Sequence, residues 1–132
     1  MILLDTHVLL WWTGAVAPSL SVTAKVRLGE EVENGDIFVS TITTWEVAQL
    51  TLKGRLKMKL NLDHWLRDVE DHSRVHFIPI DNRIAVESNR LPGDFHRDTA
   101  DRFIVATARI HGMELLTADD KIRAYPHVRT IW

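Results

Sequence analysis

Apolar positions along the chain fall in short blocks separated by polar or glycine-containing breaks, and the blocks alternate between strand-like and helix-like patterns. Ile2–Leu4 is an unbroken apolar run that stops at Asp5, the pattern of a buried strand, and His7–Trp12 continues as a short helix. Ser21 precedes Val22–Val32, a helix-like stretch closed by Asn34-Gly35. Ile37–Val39 predicts a second buried strand ending at Ser40, and Ile42–Lys53 a helix with Gly54 at its C-terminal cap. Asn61 is placed to cap a helix over Leu62–Asp71. Val75–Ile80 predicts a third strand, weakened by Pro79, which has no N–H to give a neighbouring strand. Asp81 caps a helix running to Asn89, and Pro92-Gly93 opens a polar loop. Asp98–His111 carries the clearest helical pattern and is stopped by Gly112; Glu114–Leu116 then predicts a fourth strand and Val128–Trp132 a fifth. Apolar strands alternating with helices predict a three-layer α/β/α arrangement around a mainly parallel central sheet of four to five strands.

Ligands of such sheets sit at the carboxyl ends of the strands, so the residues that follow each strand are the first to inspect. Asp5 ends the first strand and Asp119 follows the fourth, in Leu115-Leu116-Thr117-Ala118-Asp119. Taken singly, each is also what a turn or a helix cap requires. Glu46 stands in one helical column with Ile42 and Leu50. Buried there it needs a partner, whereas with Thr43 and Gln49 beside it the same residue reads equally as an edge group reaching water. Asp101 shares the core-facing side of its helix with Ile104, Val105 and Ala108. The spacing Asp98-Thr99-Ala100-Asp101 is that of a capping box, which accounts for Asp98 better than for an acid on an apolar face.

Together, acids from two strand ends and two helix faces can meet at one edge of the sheet. Unneutralised, they repel one another. A hard divalent cation relieves that repulsion, and carboxylate oxygen is the ligand Mg²⁺ or Mn²⁺ prefers. One chemistry such a site supports is phosphodiester hydrolysis by a metal-activated water. Composition narrows the field further. The 132 residues suffice for a single domain, 1–132, with one ordinary core, and 45% of them are apolar. Sixteen Lys and Arg against eighteen Asp and Glu give a net charge of −2, so any phosphate-binding surface must be local. The absence of cysteine excludes disulfide scaffolds, thiol nucleophiles and Cys-ligated zinc. A carboxylate at the fifth residue argues against a secretory signal, and no apolar run approaches the ~18 residues of a membrane span. The chain therefore reads as soluble and cytoplasmic.

At this point the residues resemble a known family, the PIN-domain nucleases, and most of all its VapC-type toxins. The resemblance spans the chain and rests on four blocks: Leu3-Leu4-Asp5-Thr6, Val39-Ser40-Thr41-Ile42-Thr43-Thr44-Trp45-Glu46-Val47, His96-Arg97-Asp98-Thr99-Ala100-Asp101-Arg102-Phe103-Ile104-Val105-Ala106-Thr107-Ala108, and Leu115-Leu116-Thr117-Ala118-Asp119. It implies that Asp5, Glu46, Asp101 and Asp119 bind Mg²⁺ or Mn²⁺ and that a metal-activated water cuts RNA. It assigns Asp98 an auxiliary part, and gives Thr6 and Thr117 hydrogen bonds to a ligand or water. It further implies a small antitoxin partner and a homodimer. His7 departs from the Asn or Ser that many relatives carry there, at a position that is not a metal ligand.

The remaining signals are weaker. His72 and His76 have the spacing of a helical zinc pair but straddle a helix end and a strand start, which favours a structural role. No phosphate-cradling glycine pair and no nucleophile elbow is present. Lys53, Arg55, Lys57 and Lys59 crowd one loop, the usual mark of a solvated segment, with an RNA-phosphate contact as the alternative. Arg97 and Arg102 flank the acidic motif, where they fit either a phosphate or a neighbouring carboxylate. Trp11 and Trp12, adjacent on a short helix, must point in different directions, and an interface role for one competes with core packing. A PIN nuclease acting outside a toxin–antitoxin pair and a non-catalytic binding module remain as alternatives.

Overall fold

Ile2–Leu4 (β1) lies at the centre of the sheet in the computed structural model, which describes residues 1–132. Ile37–Ser40 (β2) and Val75–Ile78 (β3) extend the sheet on one side, Glu114–Leu116 (β4) and Thr130–Ile131 (β5) on the other. The order is β3-β2-β1-β4-β5 and every pairing is parallel, with Leu4 opposite both Val39 and Leu116. Parallel neighbours need crossover connections. These are supplied by Thr6–Trp12 (α1), Val22–Asn34 (α2), Thr41–Leu52 (α3), Leu62–Asp71 (α4), Asn82–Asn89 (α5), Thr99–His111 (α6) and Asp120–Arg123 (α7).

Side chains of a strand point alternately to the two faces of the sheet, and β1 divides the core accordingly. Ile2 and Leu4 pack with Val8, Leu28, Val47 and Trp65 on one face. Leu3 packs with Ile84, Ile104 and Ile122 on the other. Helices thus cover both faces, giving the expected three layers. No helix is long and apolar enough to cross a membrane.

The helix starts follow the predicted caps. Ser21, Asn61, Asp81 and Asp98 each accept a hydrogen bond from the first turn of the helix they precede. Gly112 ends α6 at φ +63°, a left-handed conformation that favours glycine. Beyond shifts of one or two residues at helix ends, the elements differ from expectation at three places. Strand β3 stops at Ile78, one residue before Pro79, and the Ile80 N–H goes to Thr41 Oγ1 at 3.3 Å instead of into the ladder. Strand β5 shrinks to Thr130–Ile131. Helix α7 was not foreseen, because four residues are too few to show a period; the Asp119 side chain, accepting from Lys121 N and Ile122 N, nucleates it.

What matters for function is the edge this topology creates. With β1 between β2 and β4, the carboxyl ends of these strands adjoin, and the residues there are polar yet buried. Thr6, Ser40, Thr43 and Thr117 are all 0% exposed. Helix α3 begins directly at that edge, capped by Ser40, and packs against α6.

Candidate functional site

The buried polar edge is organised around Asp5. Only 6% exposed, its carboxylate accepts from Thr6 N at 2.8 Å through Oδ1 and from Thr117 Oγ1 at 2.6 Å through Oδ2. Thr117 Oγ1 in turn accepts from Asp119 N at 3.0 Å, so one hydroxyl links the acids that end β1 and follow β4. The Thr6 hydroxyl lies 3.2 Å from that of Thr43, tying the start of α1 to α3. Each of these buried groups has its partner inside the protein, as burial demands. Replacing Thr117 with Val keeps the shape but leaves Asp5 Oδ2 and Asp119 N unpaired. Urea unfolding should show a loss of about 1–3 kcal/mol, which Thr117→Ser largely restores.

Above this floor opens a cleft of about 390 Å³ lined by Asp5, His7, Trp11, Glu46, Asp98, Asp101, Ala118 and Asp119. A second lobe of about 440 Å³ continues it, sharing Asp98, Asp101 and Asp119 and adding His96, Asp120 and Lys121. Asp5, Glu46, Asp98, Asp101 and Asp119 are thus brought to one place from the end of β1, the middle of α3, the start of α6 and the start of α7. Thr6 and Thr117 lie beneath them in the buried row. Two of the acids are partly committed: Asp98 Oδ1 accepts from Asp101 N at 3.0 Å, and Asp119 Oδ1 caps α7.

The cluster is electrostatically costly. Burial, reinforced by Asp5, Asp98, Asp119 and Glu46 in that order, pushes the Asp101 carboxyl from its ordinary 3.8 up to about 8. Burial also raises Glu46, with Asp5 and Asp98 adding to the effect and the Thr6 side chain opposing it. Burial raises Asp5 too, against the hydrogen bonds from Thr117 and Thr6. Carboxylates this mutually destabilising call for a counter-charge, and the donor set is made of the hard oxygens that Mg²⁺ and Mn²⁺ favour. No group of three or more His, Cys, Asp or Glu side chains is already arranged around one point to hold an ion. The acids stand around the walls of the cleft instead of meeting at one point.

Other residues resolve differently. Arg102 goes to neither a phosphate nor a carboxylate: its guanidinium donates to the backbone carbonyls of Ser88, Phe95 and His96. Arg97 is exposed. His76 lies 2.8 Å from Asp36, and His72 packs edge-on against Trp12, so the two histidines do not converge on a metal. The loop cations Lys53, Arg55, Lys57 and Lys59 are exposed on the segment that follows α3. Trp11 turns to the cleft, its ring 5.9 Å from His7 and 5.8 Å from Trp132, while Trp12 turns toward α4 and lines an apolar hollow with Leu60 and Trp65. Among the cleft residues not singled out as site residues from the sequence are His7, Trp11 and His96. The available signal was position, since His7 and Trp11 share the helix that opens at Asp5, and His96 lies just upstream of Asp98.

Comparison with known proteins agrees with this architecture. The chain matches the PIN domain over residues 2–128. It is 34% identical to Ribonuclease VapC22 of Mycobacterium tuberculosis, in an alignment covering 99% of this chain and 98% of that one. Among solved structures, a chain of VapBC2 from Rickettsia felis, crystallised with a DNA fragment from its promoter, superposes with a TM-score of 0.70 at 18% identity, covering 99% of this chain and 98% of that one. A chain of FitAcB from Neisseria gonorrhoeae gives 0.66 at 24% identity over 100% and 97%. A match over nearly its whole length, and a relative aligned end to end, show that this chain belongs to the PIN-domain family, among the members of VapC type.

Proposed function

We propose that this protein is a divalent-metal-dependent endoribonuclease and the toxin of a toxin–antitoxin pair. The observation that carries the proposal is the convergence of Asp5, Glu46, Asp101 and Asp119 on one cleft, where burial, reinforced by the neighbouring acids, raises Asp101 to about 8. The relative's being a ribonuclease supports RNA as the substrate class, and a toxin–antitoxin complex from Klebsiella pneumoniae among the structural neighbours supports an antitoxin as the partner. Asp5, Glu46, Asp101 and Asp119 would hold Mg²⁺ or Mn²⁺, with Asp98 auxiliary. Bound there, such an ion lowers the pKa of a water and stabilises charge on the leaving oxygen of a phosphodiester.

The chain's own residues prepare the site. Thr6 N and Thr117 Oγ1 fix both oxygens of Asp5, so its carboxylate is oriented before anything binds. Asp98 and Asp119 each spend one oxygen on a helix start and line both lobes of the cleft. Trp11, at the rim, offers an RNA base a stacking surface. The exposed Trp45 on α3, and the apolar hollow beside Trp12 and Trp65, provide aromatic surface for protein partners, an antitoxin or a second copy in a homodimer.

The test is incubation of the purified chain, freed of any co-purifying partner, with total cellular RNA in Mg²⁺, Mn²⁺ or EDTA, beside Glu46→Gln. Discrete fragments that need the metal and decrease by about 10²-fold or more in the variant are expected. General degradation would instead favour a processing nuclease outside a toxin–antitoxin pair. Cleavage that survives EDTA, or is equal in the variant, would refute hydrolysis at this cleft.

A further inference from the structure

The loop between α5 and α6 is tied down with unusual thoroughness, and its ties end on Asp101. Arg102 donates through Nε to Ser88 O at 2.8 Å, occupying a carbonyl at the C-terminal end of α5, and through Nη1 to Phe95 O at 2.9 Å and His96 O at 3.2 Å. Its guanidinium also lies 6.0 Å from the centre of the Phe95 ring. Phe95 is wedged between the rings of His96, at 4.5 Å, and Tyr125, at 4.7 Å, and Tyr125 Oη donates to Pro92 O. A planar fork suits such divergent acceptors; a lysine ammonium does not present the same geometry.

The strap delivers one group. His96 Nε2 is shut off from solvent and has no aligned hydrogen-bond partner, yet it stands 3.1 Å from Asp101 Oδ2. A buried imidazole nitrogen set 3.1 Å from a carboxylate, short of hydrogen-bond alignment, needs only a small reorientation to donate to it. Resting on the reading of Asp101 as a metal ligand, we propose that Arg102 and His96 form a positioning device: Arg102 fixes the loop, and the loop presents His96 Nε2 to Asp101 Oδ2, keeping that carboxylate directed into the cleft. Asp98, accepting from Asp101 N, fixes the backbone of the same residue from below. The contact needs only a proton on Nε2, which neutral and charged imidazole can both carry. It is the outer-shell arrangement by which ligating carboxylates are oriented, with the histidine on the outside.

The experiment titrates Mn²⁺ into the wild type, His96→Ala, His96→Gln, Arg102→Lys and Asp101→Asn, alongside melting of each protein in EDTA and separate kcat and KM for RNA cleavage. His96→Ala should weaken Mn²⁺ binding by about 10- to 100-fold and lower kcat with little change in KM, while its melting temperature in EDTA stays near that of the wild type. His96→Gln, which keeps an N–H donor, should recover part of the loss, and Arg102→Lys should fall between. If His96→Ala binds Mn²⁺ like the wild type while Asp101→Asn does not, Asp101 remains a ligand and the positioning role is wrong. If His96→Ala only lowers the melting temperature, the strap is structural and the proposal fails. If the wild type binds no Mn²⁺, the reading of Asp101 fails and takes the positioning role with it.

Discussion

Replacing Asp101 with Asn is expected to abolish RNA cleavage while making the chain more stable. In the proposed site Asp101 supplies a charged ligand that an amide cannot replace, so a loss of at least about 10³-fold in kcat is expected. The same substitution removes a carboxyl that burial and four neighbouring acids hold up at about 8. In the unfolded chain that group ionises at its ordinary 3.8, so at neutral pH folding works against it. Asn has no such charge to lose and keeps its backbone N–H on Asp98. A rise of roughly 5 °C in melting temperature in EDTA at pH 8 is therefore expected, shrinking as the pH falls and vanishing well below 3.8, where the wild-type carboxyl is protonated in both states. An inactive variant that melts lower than the wild type would mean that Asp101 holds the fold together, and its place in a strained acidic site would be wrong.

The second large effect is on the wild type alone. A carboxyl whose folded pKa is raised binds its proton more tightly in the native state than in the unfolded one, so stability falls as pH rises between the two values. For Asp101 that window runs from 3.8 to about 8, and the raised Asp5 and Glu46 act in the same direction. Glu31 opposes them: the amino terminus and Arg27 hold it below its ordinary 4.5, despite its burial, so its contribution is lost only in acid. Between pH 5 and pH 8 in EDTA the melting temperature should therefore drop, by roughly 5–10 °C. Millimolar Mg²⁺ or Mn²⁺ should raise it more at pH 8 than at pH 5, because binding to the native state is strongest when the acids are ionised. A melting temperature that is flat or rising across this range in EDTA would contradict the electrostatic account.

Much of this architecture was legible in the sequence because its signals are local. Ile2–Leu4 could be assigned as a buried strand from three residues, and Ser21, Asn61, Asp81 and Asp98 marked helix starts that the structure keeps. The convergence of acids followed from one rule, that sites lie at the carboxyl ends of parallel strands, applied to Asp5 and Asp119. Glu46 and Asp101 were harder, since an acid on a helix reads as an edge group or a cap until the neighbouring helix is in place. What the sequence concealed was non-local. Thr117 joins Asp5 across 112 residues of chain, and no pattern links those positions. Arg102 looked like a phosphate or carboxylate partner because a guanidinium next to an acidic motif usually is one. Its true acceptors, the carbonyls of Ser88, Phe95 and His96, carry no side-chain signature at all.

The most direct test of the central claim, that these acids form one metal-binding centre, is calorimetric titration of Mn²⁺ into the wild type and Asp101→Asn at pH 7 in buffers of different ionisation enthalpy. With Asp101 held at about 8, the account predicts that the wild type binds Mn²⁺ and releases close to one proton, and that the variant binds far more weakly and releases none. Equal affinity and equal proton release in the two proteins would contradict it.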